Sequence, residues 1–462
     1  MRPILRLTGP FCSLFQRIHR AENAQITISR SLPPEDEDLE IYELLGRLTL
    51  EWPAIAHYGP RRRMIKRTLP RILCLATALW WCPLAGSVHA GSEKQALASD
   101  FATFFRQHVA AEGITGAAFV IAAPEGIIQT GAAGHTDTSQ ARRVDEHTVF
   151  RIASVSKTFA AGLTGLLVQE GRLTWEDRLV DHLPDFRIDG DSSQVRLLNL
   201  IGQSTGLVPH AYDNLIEDGV PMEQIREKFQ DLSYICTPGD CYTYQNGIFS
   251  LIEPVLEKAA SRPYARLMEE RIFRPLDMRN ASVGYQPFIR NPNRARPHVK
   301  SRGRWKTVSV KPNYYRVAPA AGVNASAVDM GKWLTAQMGG RPAVMDPVLV
   351  ETLTQPRVAT ARDLRRKYWR DMLSDAHYGL GWRIYQLGEH AIAYHSGWVS
   401  GYRADLAWSD DHGIGIALLM NVESNSISEF TTTFWRMAFA QLPQPTLAAA
   451  TGQVVTLVNP SP

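Results

Sequence analysis

Cysteine is scarce in this chain of 462 residues. There are five, and Cys12, Cys74 and Cys82 all fall within the first ninety positions. Neither C-x-x-C nor H-E-x-x-H occurs, so the usual zinc ligand sets are missing and no metal is expected. A surplus of one charge is missing as well. The net charge is +4, and residues 1–90 hold 12 Lys and Arg against 8 Asp and Glu, while the remaining 372 residues hold 38 of each sign. A neutral body offers no basic stripe to a phosphate backbone, so nucleic-acid binding is not expected. The apolar run Ile72–Gly86 has 15 residues, short of the roughly 20 that span a bilayer. No internal repeat is visible.

What is present reads as a globular protein, with 45% hydrophobic and 21% charged residues. Arg61-Arg62-Arg63-Met64-Ile65-Lys66-Arg67 is a basic block, Ile72–Gly86 follows it, and Val88-His89-Ala90 is a small-x-small pattern. That is the order of a secretory signal peptide. It predicts a periplasmic or secreted protein, cleaved after Ala90 and without a stable membrane anchor. Such a leader opens a protein, so 64–90 reads as the signal peptide and 1–63 as a non-native upstream extension. Export leaves only Cys236 and Cys241, which flank the turn sequence Thr237-Pro238-Gly239-Asp240. In an oxidising compartment they form a disulfide; in a reducing one they stay thiols.

Phe101, Phe104, Phe105 and Val109 mark one face of a helix over 97–112. The runs Ala117–Ala123 and Ile127–Ala133, split by Pro124-Glu125-Gly126, form a hairpin. A helix runs from Ser154 to Glu170, closed by Gly171. Helices and Pro-rich loops dominate the middle, including Ile248–Ala260 and Tyr264–Phe273. Strands Gly379–Tyr385, His390–His395, Arg403–Trp408 and Gly413–Met420 precede a last helix, Ile427–Leu442. The expected architecture is an α/β domain from 91–171 and 321–446, its antiparallel sheet flanked by helices. An all-helical domain, 172–320, is inserted into it, and 447–462 is a loose tail.

Ser154-Val155-Ser156-Lys157 is the one S-x-x-K of the chain. Residues three apart share a helix face, which holds the amine near the hydroxyl. A serine hydroxyl needs such a neighbour to shed its proton at neutral pH. On spacing alone about one or two such matches arise by chance. The segment Val149–Phe159 around it resembles the active-site segment of the serine β-lactamase and penicillin-binding-protein family, in the branch of class C enzymes, D-alanyl-D-alanine peptidases and related esterases. Leu167–Leu173, Asp181–Pro184, Pro275–Met278, Tyr378–Trp382 and Ala417–Asn421 continue the resemblance over about 95–440.

The resemblance implies a β-lactamase/transpeptidase-like fold and two further elements. Tyr244-Gln245-Asn246 is similar to the family's Y-x-N. Positive charge beside a phenol favours the phenolate, which can take a serine proton and pass it on. Asn246 is then expected to hold the lysine and a substrate amide. His395-Ser396-Gly397 stands where the family carries K-T-G or H-x-G, which implies that His395 binds substrate, with Gly397 letting a substrate backbone approach. By resemblance, the backbone N–H groups of Ser154 and Trp398 stabilise the oxyanion. Arg403, on the next strand, can supply the cation that His395 lacks.

Gly202-Gln203-Ser204-Thr205-Gly206 also fits a G-x-S-x-G elbow. That motif needs a strand before the serine and a helix after it, whereas Leu197–Ile201 reads as helix and Pro209 stops a helix behind. The segment instead resembles the family's L-L-x-H-x-S-G-L stretch, with Gln203 in place of the His. The expected function is therefore an exported, monomeric serine hydrolase without cofactor, acting on a small-molecule or peptide acyl donor. A β-lactam leads, ahead of an ester or a D-peptide; a non-catalytic binding protein is the remaining reading.

Overall fold

A computed structural model describes residues 82–139 and 142–443, with side chains from Gly91 onward. The expected extension 1–63, most of the leader and the tail 447–462 lie outside the described residues.

An eight-stranded sheet organises the fold, in the order β2-β1-β13-β12-β11-β10-β9-β8. Its strands are β1 (Gly116–Ala123), β2 (Gly126–Gly134), β8 (Val358–Ala359), β9 (Asp375–Tyr378), β10 (Arg383–Leu387), β11 (His390–Val399), β12 (Tyr402–Ser409) and β13 (Ile414–Met420). Every neighbouring pair is antiparallel. The first and last parts of the chain meet where β1 pairs with β13.

Both faces of the centre of this sheet are covered, which explains the unbroken apolar runs of β1 and β13. Successive side chains point to opposite faces. Ala117, Phe119 and Ile121 therefore enter one core, with helices α1 (Cys82–Ala111) and α5 (Ser426–Gln441), through Phe101, Phe105, Phe430 and Trp435. Ala118, Val120 and Ala122 enter the other, with α2 (Ser156–Gln169) and α4 (Ala327–Gln337), through Phe159 and Trp333. Helix α3 (Ile252–Ala260) packs on α2 within that second core. This is the expected α/β fold.

Three expectations change in detail. The middle of the chain is not purely helical: β4 (Ser282–Val283) joins a small sheet with β3 (Phe150–Arg151) and β7 (Val323–Ala325), and β5 (His298–Ser301) pairs with β6 (Arg304–Thr307). The β5–β6 hairpin turns at Arg302-Gly303, both with positive φ. The expected strand Gly379–Tyr385 is broken, because Gly381 takes φ +77° and cannot continue an extended chain. Helix α1 starts at Cys82, well before residue 97, and runs through the expected cleavage point after Ala90. Among the described residues no helix is long and apolar enough to cross a membrane.

Candidate active site

Ser154 lies on a short 3-10 turn, Ala153–Val155, that leads into α2. Ala153 just before it has φ +49°, a left-handed conformation that a non-glycine residue keeps only where its surroundings enforce it. Strand β11 supplies that enforcement. A Cβ on Gly397 would stand 2.1 Å from the Ile152 carbonyl oxygen and 3.2 Å from the Ala153 Cβ. Gly397 thus admits the close approach of the Ser154 turn, a use of this glycine that the sequence expectation did not include.

Lys157, the second residue of α2 and three residues after Ser154, is fully buried. Its Nζ donates to Asn246 Oδ1 at 2.8 Å, to the Ala320 carbonyl at 3.2 Å and to Ser154 Oγ at 3.4 Å, which occupies all three N–H bonds of an ammonium. The same Nζ lies 4.6 Å from the centre of the Tyr244 ring. Burial, the largest influence, pulls the Lys157 pKa below its ordinary value; Tyr244 and Asp213 oppose that pull and Arg383 adds to it.

Ser154, Tyr244, Asn246, Trp398 and Arg403 all line one cavity of about 1500 Å³, larger than the roughly 300–1,000 Å³ of drug-sized sites. His395 does not line it. The imidazole is completely buried, its Nδ1–H donates to the Ser396 carbonyl at 2.8 Å, and its Nε2 accepts from the Tyr378 hydroxyl at 3.2 Å. Burial, helped by Arg383 and Lys157, holds its pKa well below the ordinary value, so it is neutral. A direct substrate contact expected of His395 is therefore corrected. Along β11 the alternation of side chains turns Ser396 and Trp398 to the cavity and His395 and Gly397 away from it.

Trp398 is 60% exposed. The Arg403 guanidinium sits 4.7 Å from its centre, and its Nε1 donates to Glu423 at 3.3 Å. Arg403 also donates to Asn425 Oδ1 at 3.4 Å, while its Nε has no partner. Cys236 and Cys241 are disulfide-bonded, closing the loop that precedes Tyr242 and Tyr244. Ser204 is buried in a turn after the helix Leu197–Ile201, and the following helix begins only at Asp213. It lacks the strand and helix of a nucleophile elbow and does not line the cavity. Among the described residues no cluster of three or more potential metal ligands occurs.

Residues 101–436 match the family model described as Beta-lactamase. The chain belongs to the β-lactamase family of serine hydrolases. Among similar proteins are a β-lactamase of Escherichia coli K12, 23% identical over 54% of this chain, and the esterase EstB of Burkholderia gladioli, 28% identical over 43%. The matched stretches span 61% and 53% of those two relatives. Among solved structures, a penicillin-binding protein homologue from Pyrococcus abyssi superposes with a TM-score of 0.64 at 18% identity, covering 75% of this chain and 79% of that one. EstCE1, a hydrolase with promiscuous acyltransferase activity, gives 0.63 at 18% identity, covering 75% and 99%. At such identities these two likenesses speak for the fold alone.

Three residues of this β-lactamase-family site were given no role from the sequence, although Gln203 lay within a family-like stretch. Arg383 on β10 is half-buried, donates to Asp363 Oδ2 and to the Tyr242 hydroxyl at 3.0 Å each, and lies 5.6 Å from the Tyr244 ring centre. It is the second cation beside that tyrosine. Gln203 donates to the Gln245 carbonyl at 3.1 Å and accepts from the Gln245 N–H at 2.7 Å, clamping the backbone between Tyr244 and Asn246. Asp213 accepts from Asn246 Nδ2 at 2.9 Å. One of the two amide N–H groups of Asn246 is thus engaged within the protein. A long-range hydrogen bond of this kind leaves no periodic trace in a sequence.

Proposed function

We propose that the chain hydrolyses an acyl donor through an acyl-serine on Ser154, with β-lactams as its leading substrates. The observation that carries this is the buried Lys157 amine, in contact with Ser154 Oγ and Asn246 Oδ1 beside the Tyr244 ring. Ser154 Oγ attacks the carbonyl carbon, and its proton passes to the Tyr244–Lys157 pair. The Lys157 amine lies against the Tyr244 ring, so the base role is assigned to the two together. The carbonyl oxygen becomes an oxyanion held by the backbone N–H groups of Ser154 and Trp398. Collapse breaks the acyl bond, the stored proton goes to the leaving nitrogen or oxygen, and water then releases the acyl group by the same path.

One observation favours an ester over a lactam. His395 is neutral and buried, so no cation stands on β11 to meet a donor's carboxylate. Arg151, Lys311, Arg362, Arg383 and Arg403 all line the cavity, and Arg403, on the strand next to β11, is the one we assign that part. The test compares a chromogenic cephalosporin with a short-chain nitrophenyl ester, for wild type and Ser154→Ala. Turnover of both by wild type and neither by the variant is expected. Ester turnover alone transfers the assignment to a carboxylesterase, D-peptide turnover alone to a peptidase, and activity that survives Ser154→Ala ends the acyl-serine reading. Absence of turnover and of any acyl adduct would leave a binding protein. Export is part of the proposal, supported by the Cys236–Cys241 bond; a mature N-terminus at Gly91, read by mass spectrometry, is the expected result.

A further inference from the structure

We infer that Asp213 is a positioning residue for the acyl-serine chemistry, holding Asn246 so that its amide oxygen meets Lys157 and placing a negative charge within reach of that amine. The inference rests on the acyl-serine reading above.

The two ends of an asparagine amide have nearly the same shape, and only their hydrogen-bonding sense differs. Lys157 Nζ can only donate while protonated, so it needs the oxygen end of Asn246 at 2.8 Å. A carboxylate can only accept, so Asp213 Oδ2, at 2.9 Å, needs the nitrogen end. Turning the amide over would set donor against donor and acceptor against acceptor. Asp213 thereby decides which end faces the lysine. The side chain is 15% exposed, and Oδ2 also accepts from the Nδ1–H of His210 at 2.9 Å, leaving Oδ1 buried and without a protein partner.

The loop that carries Asp213 is set for this task. His210 and Tyr212 both take left-handed conformations, with φ +58° and +59°, which persist only where neighbours hold them. The His210 N–H donates to the Tyr244 carbonyl at 2.8 Å, and the Tyr212 hydroxyl to the Lys228 carbonyl at 2.9 Å. The loop is therefore tied directly to the tyrosine whose neighbour two residues on it orients.

The ionisable groups around Lys157 are Tyr244, Asp213, Arg383 and the neutral His395. Around Asp213 stand His210 and Tyr314, with Glu217 beyond. Asp213 acts on Lys157 against burial, raising its pKa. Removing the carboxylate must then lower it further, and the limb of a pH–rate profile that follows Lys157 must move to lower pH.

The test uses an alkyl fluorophosphonate, in which Ser154 Oγ bonds to phosphorus, fluoride leaves, and the serine proton goes to the base. Labelling is followed by mass spectrometry from about pH 5 to pH 10, the range that brackets lysine and tyrosine titration, for wild type, Asp213→Asn, Asp213→Ala and Ser154→Ala. Asp213→Asn is nearly isosteric; the expected result is an unchanged thermal transition with the lysine limb at lower pH. Asp213→Ala should in addition label about tenfold or more slowly, part of what acid–base catalysis supplies. If Asp213→Ala does not fold, Asp213→Asn carries the test. Wild-type rate and pH profile in Asp213→Asn would overturn the inference. Failure of wild type to label at Ser154 would instead overturn the acyl-serine reading, and this inference with it.

Discussion

On the helical wall of the cavity, Lys157 is enclosed and its three donors end on Ser154, Asn246 and Ala320. Asn246 is held by Asp213, and the Tyr244–Asn246 backbone is clamped by Gln203. On the opposite wall, formed by β11 and β12, Trp398 is mostly exposed, and Arg403 is stacked on it with one long hydrogen bond and an unpartnered Nε. The first wall is closed and its groups orient one another, which suits groups that must be in place before reaction. The second is open, so its side chains can meet donors of different shape. On the proposed acyl-serine reading, the first wall arranges bond-making and the second chooses the donor.

Substitutions should respect that division. Ser154→Ala removes the nucleophile, and a loss of about 10³-fold or more in kcat/KM is expected with whichever donor is turned over. Tyr244→Phe deletes the hydroxyl and keeps the ring beside Lys157 and Arg383; a loss of about 10²–10⁴-fold, seen in kcat, is expected. An effect confined to KM would place Tyr244 with the open wall instead. Gly397→Ala drives a methyl into the Ile152 carbonyl, and a cost of about 1–3 kcal/mol in denaturant unfolding is expected, with activity falling as the Ser154 turn shifts. On the open wall, Arg403→Ala should raise KM about tenfold for a carboxylate-bearing donor, equivalent to ~1.4 kcal/mol. It should leave a neutral ester nearly untouched. Equal effects on both donors would remove Arg403 from substrate choice.

The smallest effect concerns His395. Its pKa in the folded chain lies well below the ordinary value, chiefly because it is buried. A depressed pKa means the unfolded chain binds the proton more readily, so stability is present above the unfolded value of about 6.5 and declines as pH falls below it. His395→Gln should flatten that acid slope in denaturant melts. A slope unchanged by the substitution would show that other groups set it.

The sheet strands β1, β11, β12 and β13 were legible because their apolar runs are bounded by Gly, Pro and Asp. Helix geometry relates Ser154 and Lys157, three apart, but it was the resemblance to the β-lactamase family that marked that pair, and Tyr244-Gln245-Asn246 with it, as a site. The turn at Gly381 was not, since a glycine inside an apolar run does not announce a positive φ. His395 was assigned to substrate on its position beside Gly397. Which side of β11 its side chain takes depends on register, and a shift of one residue exchanges the faces.

The sequence by itself, read with its family resemblance, determined the fold class and pointed to the local pairs Ser154 with Lys157 and Tyr244 with Asn246, while the structure settled that Cys236 and Cys241, five residues apart, are bonded. Each rests on neighbours whose spacing the backbone sets. Only the tertiary structure decided that Arg383 is the second cation beside Tyr244, that Gly397 serves the Ser154 turn, and that Asp213 orients Asn246. Those contacts join segments 33 to 245 residues apart, brought together by burial and hydrogen bonding across the whole fold.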